Sequence, residues 1–244
     1  MDQQLRQRLE ALQRTGRIGG DPGVLALGVD AIDAALGGGL TRGALHEIAA
    51  PSEPHLAAAT GFVLGLAASC ARHLLWVAED MALAENGAPY GPGLDAFGVT
   101  PEHLVTVSVA HRRDLLWTME EALRCRAVGS VIGELRHGAL DAVAVRRLSL
   151  AAVNSGSLAL LLRCAPAGDA STAATRWIVG AAPSAAMHGP PRFAAHLIRN
   201  RRGPTGSWIL EWSDTDERFV LATPALPLAA PAFDRPHRKV ASAA

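Results

Sequence analysis

Residues 46–62, HEIAAPSEPHLAAATGF, have the layout of a phosphate-binding loop: an apolar strand, a short polar turn, then a helix. Such a loop works because backbone N–H groups freed by glycine wrap the anion at a helix N-terminus. A lysine adds a point charge, and a Ser/Thr hydroxyl holds Mg²⁺. Here the two glycine places hold Ala50 and His55, and the Lys-Ser/Thr pair is replaced by Leu56-Ala57. Pro51 and Ser52 fill the turn, and Pro54 brings a residue with no N–H donor. All these departures weaken phosphate binding in the same direction. The loop reads as a relic, and no cofactor is expected.

Three acidic residues raise the question of catalysis. Glu79 and Asp80 close the apolar run HLLWVAE, and Glu134 lies in VGSVIGEL. A general base needs a bound, polarised substrate, and the loop that would hold one is gone. These carboxylates read as relics or structural caps, and no catalytic residue is expected. Glu134 without a Ser/Thr partner is also a poor Mg²⁺ site. The nine histidines show no close ligand pair: His188 and His196 flank GPPRFAA, and His103 and His111 flank a strand. No metal is expected. Ser52 and Ser155 have no recognisable His-Asp neighbours, so nucleophilic catalysis has no support.

The stretch from Arg192 to Arg202 carries Arg192, Arg199, Arg201 and Arg202 and no acidic residue. Alternation along a strand places Leu197, Arg199 and Arg201 on one face and His196, Ile198 and Asn200 on the other. The cluster reads either as a solvated hairpin edge or as a contact for a partner carboxylate or DNA phosphates. In the terminal segment, AFDRPHRKV sets Phe233 among basic neighbours, as an inert tail or a weak tether.

The elements that must position these residues follow from apolar patterning. Leu5, Leu9 and Leu12 recur at helical spacing in polar surroundings and predict an amphipathic helix over residues 2–15, a candidate self or partner contact. The spacer GRIGGDPG ends it, so residues 1–23 stand apart as helix and linker. From Val24 a short helix over GVDAIDAAL leads through Gly37–Gly39 to the strand ALHEIAA. Helices over Pro54–Cys70, Arg112–Arg126 and about Ala139–Val153 alternate with strands HLLWVAE, HLVTVSV, VGSVIGEL and SLALLLRC. Continuous apolar strands separated by helices predict an α/β fold, a mainly parallel sheet covered on both faces. After Cys164, four strands without intervening helices predict an antiparallel extension at one edge: ATRWIVGAA, FAAHLIRNRR, GSWILEW and RFVLA. Residues 24–221 form this core, and the Pro/Ala-rich residues 222–244 read as a disordered tail.

Bulk properties limit the partners. A chain of 244 residues can bury a sizeable core. Its formal charge is zero, so any DNA affinity must be local and weak. Cys70, Cys125 and Cys164 sit far apart in apolar runs and read as core residues. The polar N-terminus is no signal peptide, and no apolar run reaches spanning length. A cytoplasmic protein without membrane contact is expected.

The order of elements resembles the RecA recombinase core from about Val24 to Val220. LALGVDAIDAALGGGLTRGALHEIAAP is similar to the lead-in to that family's phosphate loop, and LLWVAEDMAL to its catalytic-glutamate strand, with Asp80 nearest the catalytic place. VGSVIGELRHG is similar to the second acidic strand, with Glu134 in the aspartate's place. Within that superfamily, ATRWIVGAAPS and LIRNRRGPTGSWILEW resemble the ImuA family of bacterial damage-induced mutagenesis. The resemblance implies a non-catalytic accessory protein of SOS-induced translesion synthesis, acting with an ImuB-type polymerase-like protein, an error-prone DnaE-type polymerase and RecA. It also implies association with the nucleoid on DNA damage. A diverged ATPase and a SulA-type division inhibitor are the alternative readings.

Overall fold

A computed structural model describes residues 23–223 apart from 71, 126, 137, 139, 141, 166–170 and 185–188 and the side chain of residue 86. The helix expected over 2–15, with Leu5, Leu9 and Leu12, and the segment beyond 223 lie outside the described residues.

The chain opens with β1 (Val24–Leu25), α1 (Asp30–Ala35) and β2 (Leu40–Thr41). The Asp33 carboxylate fixes the entry to α1 by accepting from the amides of Leu27 (2.8 Å) and Gly28 (3.0 Å). Three glycines with positive φ, Gly37 to Gly39, then turn the chain back so that β2 pairs with β1. A Cβ on Gly39 would stand 2.3 Å from the Leu25 carbonyl oxygen, so only glycine fits that close approach.

The main sheet takes β3 (Ala44–Ala50), β4 (His73–Glu79), β5 (Leu104–Val109), β6 (Val128–Leu135), β7 (Leu158–Cys164), β8 (Thr175–Ala181), β9 (Arg192–Asn200), β10 (Gly206–Ser213) and β11 (Arg218–Leu221). Their order is β11-β10-β9-β8-β3-β7-β6-β4-β5. The six strands from β8 to β5 run parallel, and β9, β10 and β11 extend the sheet in antiparallel fashion. The strand ATRWIVGAA is therefore not antiparallel, as its helix-free surroundings suggested. It pairs in parallel with β3, and the antiparallel extension starts one strand later.

Helices cover both faces. On one, α2 (Leu56–Ala68), through Phe62, packs with Leu25, Ile32 and Leu36 over Trp76, Trp177, Phe193, Trp212 and Phe219. The helix reaches this aromatic layer through glycine: a Cβ on Gly65 would meet Phe219 at 2.6 Å and Trp212 at 2.8 Å. On the other face, α5 (Arg112–Leu123) and α6 (Ala142–Ser155) seat Leu115, Met119, Leu123 and Leu148 on Val131, Leu135, Ala159 and Leu161. Two short helices, α3 (Asp80–Asn86) and α4 (Gly91–Asp95), follow β4. Cys70 is buried and Cys164 half-buried, but Cys125 is exposed beyond the end of α5, against the expectation of a core residue. Among the described residues no helix is long and apolar enough to cross a membrane.

Candidate functional site

The loop after β3 is closed on itself. Pro51 and Pro54 have no N–H; the His55 amide donates to the Ser52 carbonyl (3.0 Å), and the Leu56 amide to that of Glu53. These bonds form the single 3₁₀ turn Glu53–His55 that opens into α2. Within residues 51–54, only Ser52 and Glu53 carry an amide N–H. The Pro51 and His55 rings pack against Gly180 of β8, and the Ala181 amide donates to His55 Nδ1 (3.0 Å). Ala50 is buried at the strand end, Leu56 is buried, and Ala57 is exposed.

Beside this loop lies a cavity of about 490 Å³. Its walls include Leu56, Ala57, Trp76, Tyr90, Leu94 and Phe97, and its floor is the buried pair Glu134–Arg136. Arg136 reaches Glu134 Oε1 through Nε (3.0 Å) and Nη2 (2.9 Å), and Trp76 Nε1 donates to Oε2 (3.2 Å). Both oxygens of Glu134 are thus engaged by donors of this chain. Asp80 turns elsewhere: it opens α3 and accepts from the Ser108 hydroxyl of β5. The register sets Glu134 beside Ala78, so Asp80 lies two residues further along and outside that ladder. The structure does not bring the two former acidic positions into one cluster. Among the described residues no three His, Cys, Asp or Glu side chains stand together as a metal site.

The arginines of β9 and its turn are anchored. Arg199 Nη1 donates to the Ser171 carbonyl (2.8 Å), which Arg201 Nη2 also approaches (3.3 Å), and Arg201 Nε donates to Ala173 (3.0 Å). Arg202 Nη1 donates to the Thr41 hydroxyl (2.8 Å), and Asn200 Nδ2 to the Ala35 carbonyl (2.8 Å). Arg199 and Arg201 share a direction, but Leu197 does not share it. A bulge in the β8–β9 ladder sets Leu197 opposite Trp177 and Arg199 opposite Arg176, shifting the alternation between them. Leu197 faces the aromatic core, while Arg199 lies with Arg176 on the other side. Arg201 and Arg202 keep exposed surface.

Two polar networks were not found from the sequence. Arg176 Nε pairs with buried Glu47 (2.9 Å), which also accepts from the Ser171 hydroxyl. Only the register of β3 against β8 brings these residues opposite one another. The second threads the core: Trp177 Nε1 donates to Thr175 Oγ1 (2.9 Å), Thr175 stands 2.8 Å from His46 Nδ1, and His46 Nε2 lies 2.9 Å from the Thr41 carbonyl. The acceptor at Thr41 assigns the proton to Nε2. Burial pushes the His46 pKa down from 6.5 to about 4, and the bond to Thr41 opposes this only in part. Arg136 had a plainer signal, sitting two residues after Glu134 along an extended chain.

No family model matches the chain. Protein ImuA of Caulobacter vibrioides, in strains NA1000 / CB15N and ATCC 19089 / CIP 103742 / CB 15, is 31% identical to it over 210 residues. Each match covers 77% of this chain and 83% of the relative. Among solved structures, that of the RadB recombinase superposes with a TM-score of 0.58 over 80% of this chain and 98% of its own, at 13% identity. That likeness concerns the fold, which is RecA-like.

Proposed function

This chain belongs to the ImuA family, and from that premise we propose that it is a non-catalytic adaptor of SOS-induced translesion synthesis. In this reading it acts in the cytoplasm and at the damaged nucleoid, with an ImuB-type polymerase-like protein, an error-prone DnaE-type polymerase and RecA. The observation that carries the adaptor role is the closed loop. Two prolines and two internally bonded amides leave too few donors to cradle a triphosphate, and Leu56 and Ala57 supply neither charge nor metal ligand. The scaffold is kept for its surfaces. Arg201 and Arg202, anchored yet exposed, are the proposed contact for a partner carboxylate or, weakly, for DNA.

The experiment is titration calorimetry with Mg-ATP, paired with affinity capture from DNA-damaged cells. Absent heat at sub-millimolar nucleotide, with polymerase subunits recovered, supports the adaptor. A micromolar signal overturns the non-catalytic part, and recovery of the division ring protein overturns the pathway. One observation favours a diverged ATPase as the second reading: the cavity beside the loop is of ligand-binding size, with Tyr90 and Phe97 in its wall.

A further inference from the structure

The cavity beside the loop runs from the surface into the core. Of its wall residues, Tyr90 is 73% exposed, whereas Trp76 and Leu94 are buried. Phe97 is held in the wall from two sides. Its ring centroid lies 5.1 Å from that of Trp212, and it sits so close to α2 that a Cβ on Gly61 would meet it at 2.9 Å. Three aromatic rings thus line a chamber of about 490 Å³, within the size range of small-molecule sites.

The floor adds an unspent donor. Arg136 is 7% exposed and gives Nε and Nη2 to Glu134. Its Nη1 lies outside both bonds and has no hydrogen-bond partner among the described residues. The Glu134 oxygens are both taken, one by Arg136 and the other by Trp76.

This arrangement restricts the chemistry of an occupant. A buried guanidinium N–H covered by hydrocarbon alone costs the desolvation of that group, so the occupant must bring an acceptor to it. The charge of Arg136 is already balanced by Glu134, and Glu53 also lines the cavity. An anion would set a further negative charge beside these carboxylates, and a cation would find both oxygens of Glu134 engaged. A neutral carbonyl meets the floor, and the ring-lined wall favours a flat aromatic body.

We propose that this cavity binds a neutral, flat aromatic molecule, with its carbonyl oxygen on Arg136 Nη1 and its ring against Trp76, Tyr90 and Phe97. This role is independent of the adaptor function. It also differs from nucleotide binding, since phosphates would bring negative charge to a cavity lined by Glu53 and Glu134.

Acetophenone is the probe, with ethylbenzene as the same shape lacking the oxygen. Binding to the full chain is followed at the Trp76 indole N–H resonance, assigned with Trp76→Phe. Acetophenone should bind saturably and shift that resonance. Glu134→Leu with Arg136→Met should weaken acetophenone about tenfold and leave ethylbenzene unchanged. Ala57 is exposed on the cavity wall, so Ala57→Trp fills the space without disturbing the core and should abolish binding of both. That variant keeps the test open if the double change unfolds the chain. Mg-ATP in excess should not displace acetophenone. Absence of saturable binding, equal loss of both probes in the double variant, or binding that survives Ala57→Trp overturns the proposal. Tighter binding of benzoate overturns the neutral class, and displacement by Mg-ATP overturns the proposal by giving the cavity to a nucleotide.

Discussion

Lowering the pH from 7.5 to 5 should destabilise this protein through His46 alone by about 2 kcal/mol. Folded His46 stays neutral down to about pH 4, because its ring is fully buried and that burial outweighs the opposing bond to the Thr41 carbonyl. In the unfolded chain the same ring takes a proton below 6.5. Protons therefore favour the unfolded state between those values. Stability is fully present above pH 6.5, falls as pH drops, and levels off below about 4. A displacement from 6.5 to about 4 amounts to about 3 kcal/mol in full, of which about 2 kcal/mol is lost by pH 5. Carboxylates titrate over an overlapping range, so the effect must be isolated by difference. Urea unfolding followed by tryptophan fluorescence, at matched ionic strength, would be run on the native chain and on His46→Gln. The amide can replace part of the hydrogen bonding but cannot titrate. The gap in unfolding free energy between the two proteins should shrink by about 2 kcal/mol from pH 7.5 to 5. A gap that stays constant with pH would refute the assignment of a neutral, buried His46.

Phe219→Ala should cost about 3–5 kcal/mol in urea unfolding, because its fully packed ring closes the aromatic layer under α2 from the last strand. A loss below about 1 kcal/mol would detach β11 from the core. Arg199→Glu with Arg201→Glu should lower stability by about 1–3 kcal/mol, since carboxylates would then face the carbonyls of Ser171 and Ala173. An unchanged unfolding midpoint would show those bonds to be dispensable.

The parallel part of the fold was legible because its central strands β3, β6 and β7 are almost wholly buried and so read as unbroken apolar runs; VGSVIGEL is buried at every position. The place of β8 was not, because a parallel neighbour is recognised by an intervening helix, and the sequence between Cys164 and Thr175 shows no helical pattern. Alternation failed at β9 for a related reason. A bulge adds one residue to the ladder and reverses the faces beyond it, and no residue type near Ile198 announces it. The absence of a Lys-Ser/Thr pair from the loop was readable at Leu56 and Ala57, being a matter of residue types. What holds the loop was not, since the bond from Ala181 to His55 joins residues far apart in sequence. The pairing of Glu47 with Arg176 was hidden likewise until register set them side by side.

The buried pair on the cavity floor has a consequence for inheritance. Removing either Glu134 or Arg136 alone strands a charge among Trp76, Leu94 and Phe97, a loss of about 3–5 kcal/mol from a fold whose whole margin is about 5–15 kcal/mol. Replacing both with apolar residues of similar volume is close to neutral. The two positions are therefore easy to lose together and hard to lose one at a time. A lineage reaching this pair by successive single changes meets a ridge on the way out. Glu134 can then outlast any earlier chemistry at its position, held there by its neighbour two residues on rather than by a substrate.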